Sequence, residues 1–159
     1  MGRIRRILVD SSVFGAAIED EASYSVESDQ YWDIVYSKAL LRSGKRFEIF
    51  GCPPVEAELR EAPQHLRVKL LALYLEVGAL KPTRKVFDLT ESYMRVGLFA
   101  PDALIAAFAS AHVVDVLVTV NRRHLKRPDT VRKISNVNRR FRLRAPRILL
   151  PGELLELLS

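Results

Sequence analysis

The sequence predicts an α/β protein with three layers, in which helices cover both faces of a central parallel sheet. Short apolar runs typical of buried strands alternate with longer segments whose apolar residues repeat at helical spacing. Strands that alternate with helices favour parallel pairing, because each crossover helix returns the chain to the same edge of the sheet. At 159 residues the chain is long enough for one such core, and we expect a single domain over residues 1–159.

The first elements are a strand, a polar loop and a helix. Ile7–Val9 is an apolar run that predicts a buried strand, followed by residues 10–12, which could cap a helix. Residues 19–29 are polar and acidic and predict a loop or a mobile insertion. Residues 31–41 predict a helix that ends at Ser43-Gly44. Its predicted apolar face consists of Trp32, Val35, Tyr36, Ala39 and Leu40.

The middle of the chain predicts one strand and three helices. Residues 47–50 are a plausible second strand, and Cys52-Pro53-Pro54 begins a helix because proline in the first turn loses no amide partner. Glu58 is expected early in that helix. Residues 66–77 predict a helix stopped by Gly78, and residues 89–96 predict another stopped by Gly97.

The last third predicts the centre and the far edge of the sheet. Pro101 begins a helix through Ala109 whose small residues suit close packing on the sheet. Residues 113–120 give the strongest strand pattern, residues 130–140 predict a basic helix, and residues 148–150 predict a last strand before a closing helix that begins at Pro151.

Positive charge is concentrated in one segment. The net charge is +6, yet residues 122–147 contain eleven Lys or Arg against one acid, Asp129, and so carry +10, which leaves −4 for the other 133 residues. Such a patch attracts the phosphates of RNA whatever the base sequence. A solvated face or a site for an acidic protein is the open alternative. The residues predicted to contact RNA are Arg122, Arg123, Lys126, Arg127, Arg132, Lys133, Arg139 and Arg140.

Several classes of protein are disfavoured. No apolar run is long enough for a membrane span and no signal peptide is evident, so we expect a cytoplasmic protein. The chain has one cysteine, three scattered histidines and neither a GxxxxGK[ST] nor a GxGxxG motif. An intramolecular disulfide is therefore excluded, and structural zinc and nucleotide-dependent chemistry are disfavoured.

Four oxygen-bearing side chains are predicted to meet at one edge of the sheet. Asp10 follows the first strand and Asn121 follows the strand of residues 113–120. The helices that carry Glu58 and Asp102 should begin at the same edge, because parallel strands all end there. Clustered carboxylates repel one another unless a cation compensates, and oxygen ligands suit Mg²⁺ or Mn²⁺. A bound cation of this kind activates water for phosphodiester hydrolysis.

Each of these residues also has an ordinary structural explanation. Asp10 could simply cap a helix, Asp102 could stabilise a first helical turn, and Glu56 or Glu61 could take the place of Glu58. We favour Glu58 because it follows buried Val55 by three residues. Four further residues also have a structural explanation. Asp115 lies at the opposite end of its strand, and His124 is expected to be a packed or surface residue with a smaller chance of contacting substrate. Ser12 and Thr119 could be ordinary strand-end hydrogen-bonding groups.

The ordered set of motifs resembles the PIN-domain family, especially VapC-like toxins and related archaeal and bacterial PIN proteins. The resemblance implies a PIN-like fold and an endoribonuclease in which Asp10, Glu58 and Asp102 hold the metal and activate water. It also implies that Ser12 and Thr119 orient Asp10, that Asn121 takes the fourth position, and that the protein is a dimerising toxin held inactive by a small antitoxin. The motifs are Ile7-Leu8-Val9-Asp10-Ser11-Ser12-Val13, Val55-Glu56-Ala57-Glu58-Leu59, Pro101-Asp102-Ala103-Leu104-Ile105-Ala106 and Leu117-Val118-Thr119-Val120-Asn121-Arg122-Arg123-His124-Leu125.

Two rival functions differ from this expectation. A phosphatase of the haloacid dehalogenase type also begins with a strand and an aspartate, but it requires a second aspartate where this chain has Ser12. The other rival is a PIN fold with weak or no catalysis that serves as an RNA-binding or assembly module. Asn121 favours this second rival, because many family members carry aspartate there and a lost charge puts a second metal ion in doubt.

Overall fold

The computed structural model describes residues 3–43 and 46–158, and its centre is a five-stranded parallel sheet in the order β3-β2-β1-β4-β5. The prediction of three layers around a central parallel sheet is confirmed. Helices pack on both faces of the sheet. The strands are β1 (Arg6–Val9), β2 (Glu48–Gly51), β3 (Gly78–Ala79), β4 (Val116–Val118) and β5 (Arg147–Leu149).

The two central strands are apolar along their length because helices cover them on both sides. Ile7, Leu8 and Val9 of β1 pair in parallel with residues 116–118 of β4, and all six side chains are fully buried. A strand buried on both faces shows a continuous apolar run rather than alternation. This explains why the sequence pattern was clearest at these two strands.

The helices form two layers. The bounds are α1 (Ser11–Ala17), α2 (Asp29–Arg42), α3 (Pro53–Arg60), α4 (Gln64–Tyr74), α5 (Arg84–Arg95), α6 (Ala100–Ala111), α7 (Pro128–Arg140) and α8 (Pro151–Glu156). Helices α1, α2, α4 and α8 pack together, as do α5, α6 and α7, while α3 contacts both α1 and α6. The small residues of α6 are almost all buried, which agrees with the close packing predicted for them.

The predicted apolar face of α2 is wrong except at Leu40, the one predicted face residue that the helix buries. The residues it buries are Ile34, Ser37 and Leu40, whereas Trp32 and Tyr36 stack on each other at the surface with 43% and 36% of their area exposed. The predicted face and the buried face lie side by side on the helix. The large aromatic residues Trp32 and Tyr36 made the exposed face look like the apolar one in the sequence. Packing against α1 and α8 decided the orientation.

Three predicted element boundaries differ from the structure. Helix α4 ends at Tyr74, and Gly78 begins the edge strand β3 instead of ending the helix. The strand predicted over residues 113–120 is confined to Val116–Val118. Two-residue strands carry too little periodicity to be recognised, and apolar residues that flank a strand resemble the strand itself. Gly97 does end α5, with a left-handed φ of 98° that favours glycine.

The acidic segment of residues 19–29 is a loop, as predicted, and its last residue, Asp29, begins α2. It contains a short 3-10 helix, Glu21–Ser23, capped by the carboxylate of Asp20. Lys38 of α2 forms a 2.6 Å ion pair with Glu21, so α2 anchors the loop. Of the helix end predicted at Ser43-Gly44, Ser43 is the C-cap residue of α2, and Gly44 lies outside the described residues.

A buried polar network joins the three helices of the second layer. The Tyr93 hydroxyl of α5 donates to Asn138 of α7 and contacts Ser110 of α6 at 2.9 Å, and the Asn138 amide donates to the same Ser110 oxygen. Buried polar groups are stabilising when each has a partner. Burial raises the pKa of Tyr93 to about 12, so its hydroxyl stays protonated.

Within the described part of the chain, no helix is long and apolar enough to cross a membrane.

Candidate active site

The predicted site residues begin at the topological switch point of the sheet. After β1 the chain adds β2 and β3 on one side, and it returns later to place β4 and β5 on the other. The crevice between the carboxyl ends of β1 and β4 is the usual ligand-binding place in such a sheet. Asp10 and Thr119 follow directly after these two strands, and the Asp10 amide still donates to the Val118 carbonyl at 2.9 Å. Strand order, which the sequence did not provide, therefore places both residues at this crevice.

Asp10 occupies the N-cap position of α1 but its side chain does not cap the helix. Its Oδ2 atom instead accepts hydrogen bonds from Ser12 Oγ at 2.8 Å and from Thr119 Oγ1 at 2.9 Å. The carboxylate is only 8% exposed, and Thr119 is fully buried. The alternative explanation of Asp10 as a helix cap is thus disfavoured, because its carboxylate bonds Ser12 and Thr119 in the crevice and no amide of α1.

Both hydroxyl groups are fixed as donors by the backbone behind them. The amide of Val120 donates to Ser12 Oγ at 3.2 Å, and the amide of Asn121 donates to Thr119 Oγ1 at 3.0 Å. Each hydroxyl has one hydrogen, which is directed to Asp10 because the amides occupy the acceptor side. The second oxygen of Asp10, Oδ1, has only a longer 3.5 Å contact with Ser11 and retains acceptor capacity.

Ser11 links Asp10 to Glu58 and was not singled out from the sequence. Its hydroxyl donates to Glu58 Oε2 at 2.6 Å and lies 3.5 Å from Asp10 Oδ1. Because one hydroxyl contacts both carboxylates, these two carboxylate oxygens lie close together. Glu56 instead bonds Arg60 along the surface of α3. Glu58 lies late in α3 and is exposed, which corrects its expected early position and its expected buried side. The hydrogen bond from Ser11 still holds Glu58 near Asp10.

Asp102 lies in the first turn of α6 within the electrostatic field of the other two carboxylates. Burial raises its pKa above the ordinary value, and the charges of Asp10 and Glu58 raise it further, against a lowering by His124. His124 Nδ1 lies 3.5 Å from Asp102 Oδ2. The three carboxylates therefore repel one another, and His124 is a close neighbour of the site rather than a remote surface residue.

Cys52 lies beside the same carboxylates but is chemically inert. Burial, with a further contribution from Asp10 and Glu58, raises the pKa of its thiol to about 12. A thiol in this environment stays protonated at neutral pH and is a poor nucleophile. Cysteine-based catalysis is therefore disfavoured.

Asn121 uses its side chain within its own loop. Its Oδ1 atom accepts a hydrogen bond from the Arg123 amide at 3.1 Å, and its own amide donates to Thr119. Such an arrangement stabilises a turn. In this conformation the Arg123 amide occupies one of the two acceptor positions of the Asn121 side-chain oxygen.

The side chains do not form a ready-made metal site. Over residues 3–43 and 46–158, no group of three or more His, Cys, Asp or Glu side chains is arranged to hold a metal ion. The donors nevertheless fit a hard divalent cation in type, because they are carboxylate oxygens and the charges of Asp10 and Glu58 raise the pKa of Asp102.

The basic residues fall into two groups according to their ion pairs. Arg122 binds Asp33 of α2 through both guanidinium NH groups, at 2.7 and 2.9 Å, and Lys126 pairs with Glu153 of α8 at 2.9 Å. These two pairs attach the loop after β4 to the first helical layer. Within α7, Arg132 and Lys133 both pair with Asp129, while Arg139 and Arg140 line a shallow groove farther along the helix.

A small basic cavity of about 180 Å³ opens beside Asp102. No ion pair is seen for Arg123 or Arg127 among the described residues, and both line this cavity. Arg123 and Arg127 thus face the cavity without an ion pair to any described residue, whereas Lys133 lines the same cavity while paired with Asp129. The lining consists of Gly97, Leu98, Phe99, Asp102, Arg123, His124, Arg127, Asp129, Thr130 and Lys133.

Asp115, at the opposite end of β4, has a structural role as predicted. Its carboxylate accepts the amides of Arg5 and Arg6 and pairs with Arg144 at 2.7 Å. Burial opposes ionisation, but the hydrogen bonds from these three residues outweigh it and lower the pKa of Asp115. Asp115 thus joins β1, β4 and the segment before β5 away from the crevice.

The fold is similar to solved structures of VapBC complexes. VapBC2 from Rickettsia felis, bound to a DNA fragment from its promoter, matches with a TM-score of 0.53 and 15% identity over 91% of this chain and 98% of that chain. DNA-bound VapBC from Salmonella typhimurium matches with a TM-score of 0.57 and 12% identity over 93% and 99%. No protein-family model matches the sequence, and no curated protein matches it significantly.

The fold is therefore that of a VapC-like PIN domain. At this level of identity the likeness concerns the fold, and function has to be argued from the site.

Proposed function

We propose that this protein is a metal-dependent endoribonuclease that hydrolyses RNA phosphodiester bonds. The observation that carries the proposal is the link from Asp10 through Ser11 to Glu58 at the switch point of the sheet, with Asp102 near enough for both charges to raise its pKa. Three mutually repelling carboxylates are costly to keep together, and a divalent cation removes that cost. The VapBC likeness and the basic cavity beside Asp102 give the proposal independent support.

Asp10, Glu58 and Asp102 would hold Mg²⁺ or Mn²⁺. A cation bound there supplies positive charge that acidifies a water molecule and stabilises the charge that develops on the phosphate. Ser12 and Thr119 keep Asp10 oriented by occupying one of its oxygens and leaving Oδ1 to bind. Such supporting hydrogen bonds fix the ligand geometry on which affinity depends.

The remaining residues of the crevice position substrate. Arg123 and Arg127 line the cavity beside Asp102, and their charges suit the phosphates that flank the scissile bond. Asn121 keeps the loop in shape and carries no negative charge, so the site takes fewer cationic charges than a four-carboxylate site would. One tightly held cation is the expected stoichiometry.

The experiment is cleavage of a structured RNA by the wild type and by Asp10→Asn, Glu58→Gln and Asp102→Asn, each with Mg²⁺, with Mn²⁺ and with EDTA. We expect cleavage that EDTA abolishes and a loss of at least about 10–100-fold in each variant, the effect of disturbing even the supporting residues of metal sites. Glu56→Gln is the matched control and should retain activity, because Glu56 bonds Arg60 instead of facing the crevice. Equal activity in all variants would refute the nuclease.

We further propose that the protein is the toxin of a toxin–antitoxin pair. The support is its likeness to chains from VapBC complexes over almost their full length. The proposal includes a cytoplasmic location, a small antitoxin partner that covers the acidic crevice, and a homodimer. Co-expression with a short DNA-binding protein encoded next to it should relieve growth inhibition, and size-exclusion chromatography with light scattering should give twice the chain mass.

The alternative is an RNA-binding or assembly module without catalysis. Asn121 favours it, since its side chain is neutral and its carbonyl oxygen is already bonded to the Arg123 amide. RNA binding in gel-shift experiments without cleavage in either metal would support the module. Restoration of cleavage by Asn121→Asp would then show that the lost charge is the cause.

A further inference from the structure

We propose that Phe99 is a base-stacking residue that selects RNA with an unpaired base next to the scissile phosphate. Its side chain is 61% exposed although its ring stacks on His124, with centroids 5.8 Å apart and planes inclined by 30°. Phe99 and His124 both line the basic cavity beside Asp102. This inference rests on the proposed nuclease function and deepens it by naming the class of substrate.

The local backbone holds the Phe99 ring outwards. Gly97 ends α5 with a φ of 98°, and the next residue, Leu98, is 8% exposed and packs into the core while its amide bonds the Tyr93 carbonyl. Leu98 anchors the turn on the inside, and Phe99 follows as the N-cap residue of α6. Asp102 lies only three residues farther on, so the exposed ring and the carboxylate share the beginning of one helix.

The surroundings of Phe99 suit a nucleotide better than an apolar partner. Arg123 and Arg127 line the same cavity without an ion pair to any described residue, and Lys133 lines it while paired with Asp129. Aromatic faces combined with cations are the usual means of binding single-stranded nucleic acid. The Lys133 ammonium lies 3.3 Å from the place where a Cβ on Gly97 would be, directly behind the turn that presents Phe99. Stacking therefore occurs where backbone phosphates are attracted.

The other exposed aromatic pair provides a contrast. Trp32 and Tyr36 stack on α2 within a stretch, residues 7–37, that contains no Lys or Arg. Their neighbour Asp33 is paired with Arg122, so the nearby cation is already bound. A phosphate backbone is repelled by such a surface, which makes Phe99 the better platform for RNA.

Stacking on Phe99 requires a base that is not stacked within a helix. In duplex RNA the bases are covered by their neighbours, and proteins recognise the duplex mainly through its shape and backbone. A substrate base that stacks on Phe99 must come from a single-stranded loop, bulge or end. The cavity beside it, of about 180 Å³, is small and matches a single phosphate group and its contacts better than a duplex.

The test is RNA binding in EDTA, which separates binding from cleavage. Fluorescence anisotropy would be measured with a 12-nucleotide single strand and with the same sequence as a duplex, for wild type, Phe99→Ala, Phe99→Leu and Phe99→Trp. We expect Phe99→Ala and Phe99→Leu to bind the single strand about 5- to 100-fold more weakly and Phe99→Trp to bind at least as well as wild type. Affinity for the duplex should be unchanged.

Phe87→Ala is the matched control, because Phe87 is 63% exposed on α5 and does not line the cavity. Its affinity should equal that of wild type. Wild-type affinity in Phe99→Ala, an equal loss for duplex and single strand, or no RNA binding by any variant would overturn the inference. Weaker binding in Phe99→Ala by a protein that cleaves no RNA would uphold the stacking role while refuting the nuclease.

A protein-docking role of Phe99 would give a different result. In that case Phe99→Ala would bind single-stranded RNA as wild type does and lose affinity for a co-expressed partner. That outcome would also overturn the inference.

Discussion

Thr119→Val tests whether the Asp10 carboxylate is held by hydroxyl groups. Valine replaces the hydroxyl with a methyl group of similar size in a fully buried position, so the main change is the loss of the hydrogen bonds of that hydroxyl. They are the bond to Asp10 Oδ2 at 2.9 Å, the bond from the Asn121 amide at 3.0 Å and a longer contact of 3.2 Å with Ser12 Oγ. A hydrogen bond to a charged group contributes about 1.5–3 kcal/mol to stability. The loss of the second bond should cost less, because the half-buried Asn121 amide can bond a water molecule instead.

We therefore expect Thr119→Val to lower the free energy of unfolding by about 2–3 kcal/mol, the upper part of that range for one bond to a charged group. For a chain of this size the corresponding fall in Tm is roughly 4–12 °C. Urea unfolding at pH 7 followed by circular dichroism measures the change. Thr90→Val is the control, because its hydroxyl bonds only the Val86 carbonyl within α5 and its loss should cost less than about 1 kcal/mol.

A double-mutant cycle with Asp10→Asn isolates the interaction itself. Once the carboxylate is a neutral amide, the bond from Thr119 is no longer assisted by charge, and the cost of Thr119→Val should fall by about 1 kcal/mol. Strict additivity of the two substitutions would refute the assignment. So would a cost of Thr119→Val that is no greater than that of Thr90→Val.

Two further predictions concern charge. Burial raises the pKa of Asp102, and the charges of Asp10 and Glu58 add to this against a lowering by His124, so the ionised form of Asp102 destabilises the metal-free protein. Asp102→Asn should have the higher Tm at pH 7, and the difference should disappear as the pH falls below 3.8, where the carboxyl becomes protonated in the unfolded chain as well. A Tm difference that is independent of pH would contradict this. The double variant Arg123→Ala/Arg127→Ala should reduce the slope of log affinity for single-stranded RNA against log salt concentration by about 1.4, because two phosphate contacts are lost. Arg122→Ala should mainly lower Tm, because Arg122 is paired with Asp33. Equal slopes in the double variant and in Arg122→Ala would contradict the separation of cavity-lining from paired arginines.

The central sheet was predictable because its pattern is local. The runs at residues 7–9 and 116–118 are apolar without interruption, as strands covered on both faces must be. Helix ends were predictable where one residue type is physically favoured, as at Gly97 with its positive φ. The edge strand β3 was missed because Gly78 and Ala79 show no pattern of their own and pair only because β2 lies beside them.

Side-chain partners were predicted less well than elements. The sequence indicated Asp10, Glu58 and Asp102 by motif and topology, but not that Ser11 bridges the first two or that His124 contacts the third. Serine and histidine are common at strand ends and on surfaces, so their types alone carried no signal. Such contacts depend on which helix turns which side towards the crevice.

The sequence by itself determined the alternation of strands and helices and the segregation of positive charge, because both follow from the order of side chains along the chain. The tertiary structure decided the strand order, the face that α2 buries, and which cations stay available beside Asp102. The reason is that these properties depend on contacts between residues far apart in the chain. Arg122 and Arg123 are adjacent in sequence, yet Asp33 binds one while the other lines the cavity.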